Sequence, residues 1–442
     1  MMKPYKSRII SGSRVTIQEH RNSHFDEDLQ EQDSKNTSLP SNHYVQTLKP
    51  YIPTSHKVWE QPHKEKILKL DWNESTLPPS PLVTQALQEH LNTGILQWYP
   101  DTKNTELYTL LAQYVGVDSD QIEVFGGSDC AHEYILQVFL DANTKVLIVS
   151  PTYDNFRARA QGIGINTCFF PLSSDFSLNL EALNEAIINY APQMVYVCNP
   201  NNPTGTTYCS IQLQNLIQAH PYTIFLIDEA YYEFCGQTLS YLTTTYKNLI
   251  VTRTFSKAFG LASFRIGYCI SHAQNIALIN KLRNPKSLSA FAQIAATYAL
   301  KDEQYMWAYV EEIKNAREWF STQLYDLDIK TYPSSANFIL ISHTEDLYRL
   351  LGQHQIFIRD YRHIIPNHFR ITIGTRMQME KVIKVLRGGD NKTIYVIFLL
   401  SIHTSNPHFI LFFYLKNLIS VSYLYHVYST ASMPNHISRN PY

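Results

Sequence analysis

A carboxylate, a lysine and an arginine that could do chemistry together lie at or beyond the ends of two apolar runs in the middle of the chain. The run from Ile224 to Ile227 ends abruptly in Asp228-Glu229. A second, from Leu249 to Val251, ends in Arg253-Thr254-Phe255-Ser256-Lys257, and Arg265 follows eight residues after that lysine. A lysine taken out of water beside another cation loses proton affinity. It becomes a nucleophilic amine able to form a Schiff base with an aldehyde. A carboxylate nearby can hold a ring nitrogen protonated, and an arginine with hydroxyls beside it can hold a phosphate. Taken singly, each residue reads more readily as part of a buried ion pair or as a surface charge near a strand end. As an ordered set they suit an aromatic aldehyde that carries a phosphate.

Positioning such a set is a task for strands buried on both faces. Runs that are apolar throughout suit a parallel sheet covered by helices, whose strand ends carry the polar chemistry. Similar runs precede the pair: 121–125, 145–149 and 195–198. The first is followed by Gly126-Gly127-Ser128-Asp129 at the start of a helical pattern. Two glycines let the backbone approach an anion, Ser128 can cap, and the free amide groups of a helix start bind phosphate. No Gly-Lys-Ser/Thr follows, so this is not a P-loop. The second run ends in Ser150-Pro-Thr-Tyr153. The third leads into Asn199-Pro-Asn-Asn-Pro-Thr-Gly205, a loop dense in turn formers whose Asn-Pro bonds are candidates for cis peptides.

Together these motifs resemble the fold-type-I pyridoxal-phosphate enzymes of aminotransferase class I/II, and within them the histidinol-phosphate aminotransferase branch. The resemblance covers about residues 44 to 388 and implies an α/β fold. That fold has a three-layer αβα large domain with a mainly parallel sheet and a smaller α+β C-terminal domain. It also implies roles, residue by residue. Lys257 matches the Schiff-base lysine, Asp228 the partner of the pyridinium nitrogen, and Tyr231 and Asn202 the donors to the cofactor's phenolic oxygen. Tyr153 matches the aromatic that stacks on the ring. Arg265, Thr254, Ser256 and the backbone at Ser128 and Asp129 match the phosphate site. Arg370, in Phe-Arg-Ile-Thr-Ile-Gly, matches the clamp on the substrate carboxylate, and Arg359 the branch's second anion-binding arginine. Tyr51, in Val45-Gln-Thr-Leu-Lys-Pro-Tyr51, and Asn73, in Leu70-Asp-Trp-Asn-Glu-Ser75, fall in segments that line the substrate pocket. Tyr99 matches the tyrosine that crosses a homodimer interface to the neighbouring subunit's phosphate. Three departures stand out: Ser75-Thr76-Leu77-Pro78 after the Asn-Glu pair, Ser263 where glycine is common, and Pro285-Lys286-Ser287-Leu288-Ser289 where the branch has Tyr-Asn-Val-Asn.

The expected organisation is a disordered polar extension over 1–43, an arm over 44–78, a large cofactor domain over 79–285, a small domain over 286–388, and an aromatic tail over 389–442. A helix is expected over 79–91 and a long one over 303–324, with strands over 336–341, 355–359 and 369–374. Across 442 residues the net charge is −1, with no basic block to favour nucleic acid. The six cysteines form no CxxC pair and suit reduced thiols of a cytoplasmic protein, and the 17 histidines show no metal-ligand spacing. The N-terminus lacks the apolar core of a secretory signal, and its acidic run from Asp26 to Asp33 disfavours a transit peptide. In the tail, 409–428 approaches bilayer length but holds Lys416, Asn417 and His426, so an extension of unknown structure is preferred over an anchor.

The expected activity is amino transfer between an amino acid and a keto or aldehyde acceptor. The alternative is decarboxylation of a phospho-amino acid, as in the threonine-phosphate decarboxylases. An oxoamine synthase is disfavoured by Tyr231, which stands where that group has histidine. A binding protein without chemistry would leave the full lysine, aspartate and arginine set unexplained.

Overall fold

The computed structural model describes residues 39–51, 57–93 and 95–388. The expectations of a disordered extension up to residue 38 and of a tail from 389 onwards lie outside the described residues. Among the described residues twelve strands form two sheets within one compact body that ends at Leu386. In chain order they are β1 (Leu68–Leu70), β2 (Ile122–Phe125), β3 (Lys145–Ser150), β4 (Asn166–Pro171), β5 (Met194–Cys198) and β6 (Ile224–Asp228). Then follow β7 (Leu249–Thr254), β8 (Gly267–Ser271), β9 (Lys330–Thr331), β10 (Phe338–Ser342), β11 (Ile356–Asp360) and β12 (His368–Thr372).

The larger sheet runs β2-β8-β7-β6-β5-β3-β4. Strands β3 to β7 pair in parallel, and β8 alone runs against its neighbours β7 and β2. Its central strands are largely apolar and buried because both faces are covered, and alternate residues serve opposite cores. Val146, Ile148, Met194, Tyr196, Leu226 and Ile250 join one core with Ala131 and Ile135 of the helix Ser128–Phe139. Leu147, Val149, Val195, Val197, Phe225, Ile227 and Val251 join the other with Leu183 and Leu213, from the helices Leu180–Tyr190 and Ser210–Ala219.

The smaller sheet runs β1-β11-β12-β10-β9, antiparallel except where β1 pairs in parallel with β11. Strand β1 brings the N-terminal segment to the edge of this C-terminal sheet, Leu68 opposite Ile356. The chain then continues from Leu70 into Asp71-Trp72-Asn73, between the two sheets. The long helix spans Glu303–Tyr325, and the helix expected over 79–91 is Pro81–Asn92, with the Ser80 hydroxyl accepting from Leu82 N.

Period two also separates the Asp228-Glu229 pair. Asp228 faces the helix Ser128–Phe139, whereas Glu229 turns to the opposite face and accepts from buried Arg253 Nε at 3.0 Å. The Arg253 guanidinium lies 3.5 Å above the Tyr232 ring, and this ion pair ties the ends of β6 and β7 together. Beside it Glu233 is buried, with Tyr114 donating to Oε1 at 3.2 Å and Oε2 unpartnered among the described residues. Burial lifts its carboxyl from 4.5 to about 7, against the pull of Arg253. Native Glu233 therefore holds more proton than the unfolded chain between those values, and stability falls as pH rises through that window. Glu233→Gln should remove this slope: thermal melts at pH 8 should gain on the order of 1–3 kcal/mol over the parent, and melts at pH 5 almost nothing. Equal gains at both pH values would rule the mechanism out.

Candidate active site

The residues singled out in the sequence gather where the C-terminal ends of β5, β6 and β7 face the smaller sheet. Asp228 is the last residue of β6, and Lys257 follows β7 by three residues. The lysine is half-buried and its Nζ donates to Trp72 O at 2.9 Å. Burial lowers its amine from 10.5 to about 8, with the Arg370 and Lys69 charges pushing the same way and Glu74 and Asp129 opposing. Relative to an ordinary lysine, roughly three hundred times more of it is neutral at pH 7.

Asp228 is buried, and burial lifts its carboxyl above the ordinary range. Three groups counter that: His132 Nε2 at 3.8 Å from Oδ2, the Tyr196 hydroxyl at 2.9 Å, and Ala230 N–H, which donates to Oδ1 at 3.2 Å.

Tyr231 stands beside Lys257, whose Nζ lies 5.9 Å from the ring centre. The Tyr231 oxygen accepts from Asn73 Nδ2 at 3.0 Å. Asn73 is buried with a left-handed backbone (φ 57°), and Thr372 and Asn337 of the C-terminal part hold it there. Asn73 is therefore a strut between the sheets and Tyr231, a position that the local string Asp-Trp-Asn-Glu did not disclose. Asn202 Oδ1 accepts from Arg370 Nη1, and Arg370 Nη2 donates to Asp71 O at 2.6 Å. The amide hydrogens of Asn202 are left to donate elsewhere. Arg359 and Arg370 sit directly opposite one another across β11 and β12. Tyr361, unforeseen from the sequence, donates to Asn202 Oδ1 at 3.4 Å and accepts from Arg370 Nη1 at 3.2 Å.

A second group lies at the start of the helix Ser128–Phe139. Its cap residue is Gly127, in a φ of 94° that L side chains avoid, and not Ser128 as the sequence suggested. Ser128 becomes the first helical residue, so the amide groups of this turn keep no side-chain cap. A Cβ on Gly127 would stand 2.7 Å from Arg265 Nη2, so only glycine lets that guanidinium close over the turn. Arg265 Nη1 donates to Ser256 Oγ at 3.3 Å, Thr254 Oγ1 to the same oxygen at 3.0 Å, and Arg265 Nη2 lies 3.5 Å from Asp129. Tyr153 is hydrogen-bonded to Asp129 and meets Tyr51 edge-on, ring centres 5.8 Å apart.

Tyr99 is not part of this gathering. It is 77 % exposed, with Lys286 Nζ 4.5 Å from its ring centre. The departing segment 285–289 thus packs on Tyr99 through Lys286, while Ser289 caps the next helix by accepting from Ala292 N. Among the described residues no cluster could hold a metal ion, and no helix is long and apolar enough to cross a membrane.

Residues 65–386 match the family model of aminotransferase class I and II. The chain belongs to this family. It is 48% identical over 352 residues to a dihydroxyacetone phosphate transaminase of Campylobacter jejuni, covering 78% of this chain and 95% of that protein. A histidinol-phosphate aminotransferase of Ruminiclostridium cellulolyticum is 33% identical over 339 residues, 75% of this chain and 93% of its own. Among solved structures, the histidinol-phosphate aminotransferase of Sinorhizobium meliloti in complex with pyridoxal-5'-phosphate superposes with a TM-score of 0.70. It is 28% identical and covers 80% of this chain and 98% of that one. An L-threonine-O-3-phosphate decarboxylase of Porphyromonas gingivalis, 24% identical with a TM-score of 0.64 over 73% of this chain and 99% of that one, shares the fold.

This is therefore a pyridoxal-phosphate-dependent aminotransferase, close to the histidinol-phosphate branch. The donor set fits the cofactor: a lysine held largely out of water, a buried acid at a strand end, and an arginine with two hydroxyls over a glycine turn.

Proposed function

We propose that this aminotransferase moves an amino group between an amino acid and a small phosphorylated ketone of the dihydroxyacetone phosphate kind. The observation that carries the reading is the buried pair Arg359 and Arg370, opposed on adjacent strands at the pocket. Like charges directly opposite are unfavourable, and an anionic substrate between or beside them relieves the repulsion. The name of the 48% identical relative points to the same class of ketone.

Pyridoxal phosphate supplies an aldehyde that takes up amines and a ring that stores the electron pair left when a proton leaves the amino carbon. Lys257 would carry the cofactor and, with its amine freed, would take that proton and return it to the neighbouring carbon. Its low proton affinity keeps a neutral base available near neutral pH. Asp228 would hold a proton at the ring nitrogen. Tyr231 and Asn202 would donate to the phenolic oxygen, each fixed from behind, by Asn73 and by Arg370. Tyr153 would support the ring. Arg265, Ser256, Thr254 and the amide groups at Ser128 and Asp129 would hold the phosphate. Arg370 and Arg359 orient the substrate anion, and Tyr51 closes the pocket. The protein works as a cytoplasmic homodimer in which Tyr99, with the exposed Trp98 beside it, reaches the neighbouring subunit.

The test is a pair of half-reactions on the purified protein. With glutamate as donor, kcat/KM for dihydroxyacetone phosphate should exceed that for the keto partner of histidinol phosphate by about tenfold or more. The reverse preference would move the protein into the histidine-related activity of its 33% identical relative.

A further inference from the structure

Asp228 is shaped by a neighbour that none of the family motifs contains. Tyr196 is the third residue of β5, on the parity that faces the helix Ser128–Phe139, and it is fully buried. A buried tyrosine needs a partner for its hydroxyl. Its O–H donates to Asp228 Oδ2 at 2.9 Å, since an ionised carboxylate can only accept. Burial first, and the Asp228 charge second, hold the phenol well above its ordinary range, so the proton stays on the tyrosine.

The ring has little freedom to leave. It stacks on Phe156 with centres 4.0 Å apart and planes 7° apart, and meets His132 edge-on at 5.7 Å. His132 is the other side chain near this carboxylate, but its Nε2 is 2.9 Å from Thr252 Oγ1 and 3.8 Å from Asp228. Tyr196 is thus the short side-chain donor to the acid, and it points at the same oxygen that His132 approaches.

We propose that Tyr196 is a positioning residue that keeps Asp228 ionised and correctly turned, so that the proton of the ion pair stays on the cofactor's ring nitrogen and not on the acid. The inference rests on the assignment of Asp228 to that nitrogen made above. A hydrogen bond to a carboxylate is about twice as strong as a neutral one, and it favours the charged form. Without it Asp228 competes better for the shared proton, the ring draws electrons less strongly, and removal of the amino-carbon proton slows.

The experiment loads the enzyme with pyridoxal phosphate labelled with 15N in its ring and records the nitrogen resonance of the parent, Tyr196→Phe and Asp228→Asn. Tyr196→Phe keeps the stack on Phe156 and removes only the O–H. Its resonance should move part-way toward the unprotonated-ring position, with kcat lowered about tenfold and KM within about twofold. Asp228→Asn should move the resonance the whole way. If Asp228→Asn moves it and Tyr196→Phe leaves it at the parent position, the role of Tyr196 is overturned while that of Asp228 stands. If Asp228→Asn leaves it unmoved, the assignment of Asp228 falls first. Should Tyr196→Phe fail to fold, replacing Tyr196 alone with 4-aminophenylalanine, a weaker donor of similar shape, should carry the resonance the same way by a smaller step. No movement there overturns the inference equally.

Discussion

Lys257→Ala should lower turnover by about 10⁴-fold or more, because one side chain is asked both to carry the cofactor and to move the proton. Borohydride reduction of the loaded parent should leave a cofactor-sized mass on the peptide that contains Lys257, and no adduct on the variant. The surroundings of this residue say why no neighbour can replace it. Burial lowers its amine to about 8, and the amine is placed by a hydrogen bond to Trp72 O. Lys69, the other amine of this region, is committed to Asp71 and Glu74. Small amines added to Lys257→Ala should restore part of the rate, the more so the more basic the amine, because only the proton-transfer role is then missing. Full turnover in the variant without added amine would end the assignment.

Asp228→Asn should lower kcat by about 10²–10³-fold with KM little changed. An amide keeps the shape of the acid but cannot balance a protonated ring, and breaking one side of a buried charge pair costs roughly 3–5 kcal/mol. Stability should move the other way in the cofactor-free protein. The carboxyl is lifted by burial, so the native state binds more proton than the unfolded chain over the range just above the ordinary carboxylate value. The acid therefore weakens the cofactor-free fold as pH rises through that range, and Asn relieves the cost. Melts at pH 8 should show the cofactor-free variant at or above the parent, and a smaller rise in Tm on adding pyridoxal phosphate. A variant with parental kcat would remove Asp228 from the mechanism.

The segments that were legible beforehand are those in which chemistry and element boundary coincide. An apolar run stops at its strand's end or within a turn of it, as at Asp228 and at Thr252–Thr254, so the polar residues that follow lie near the sheet's end whatever the rest of the chain does. Asp228, Lys257, the Gly126-Gly127 turn and the Asn-Pro loop were visible for that reason. The Asn199-Pro200 and Asn202-Pro203 bonds are cis, as the density of turn formers in that loop allowed. Boundaries moved by a residue or two, as at β10, expected over 336–341 and observed at Phe338–Ser342. The cap moved from Ser128 to Gly127 because the left-handed turn beneath Arg265 excludes any side chain there.

By itself, the order of residues determined the class of sheet, the amine and acid at its strand ends, and the glycine turn for an anion, since each depends on periodicity or on neighbours along the chain. Only the tertiary structure decided what holds those groups in place. Arg370 reaches Asn202 across 168 residues, Asn73 meets Thr372 across 299, and Tyr196 meets Asp228 because β5 lies beside β6. Period two says which face a side chain takes. Which distant side chain waits on that face follows from strand order and from where β1 joins the smaller sheet, and neither is written in any local pattern.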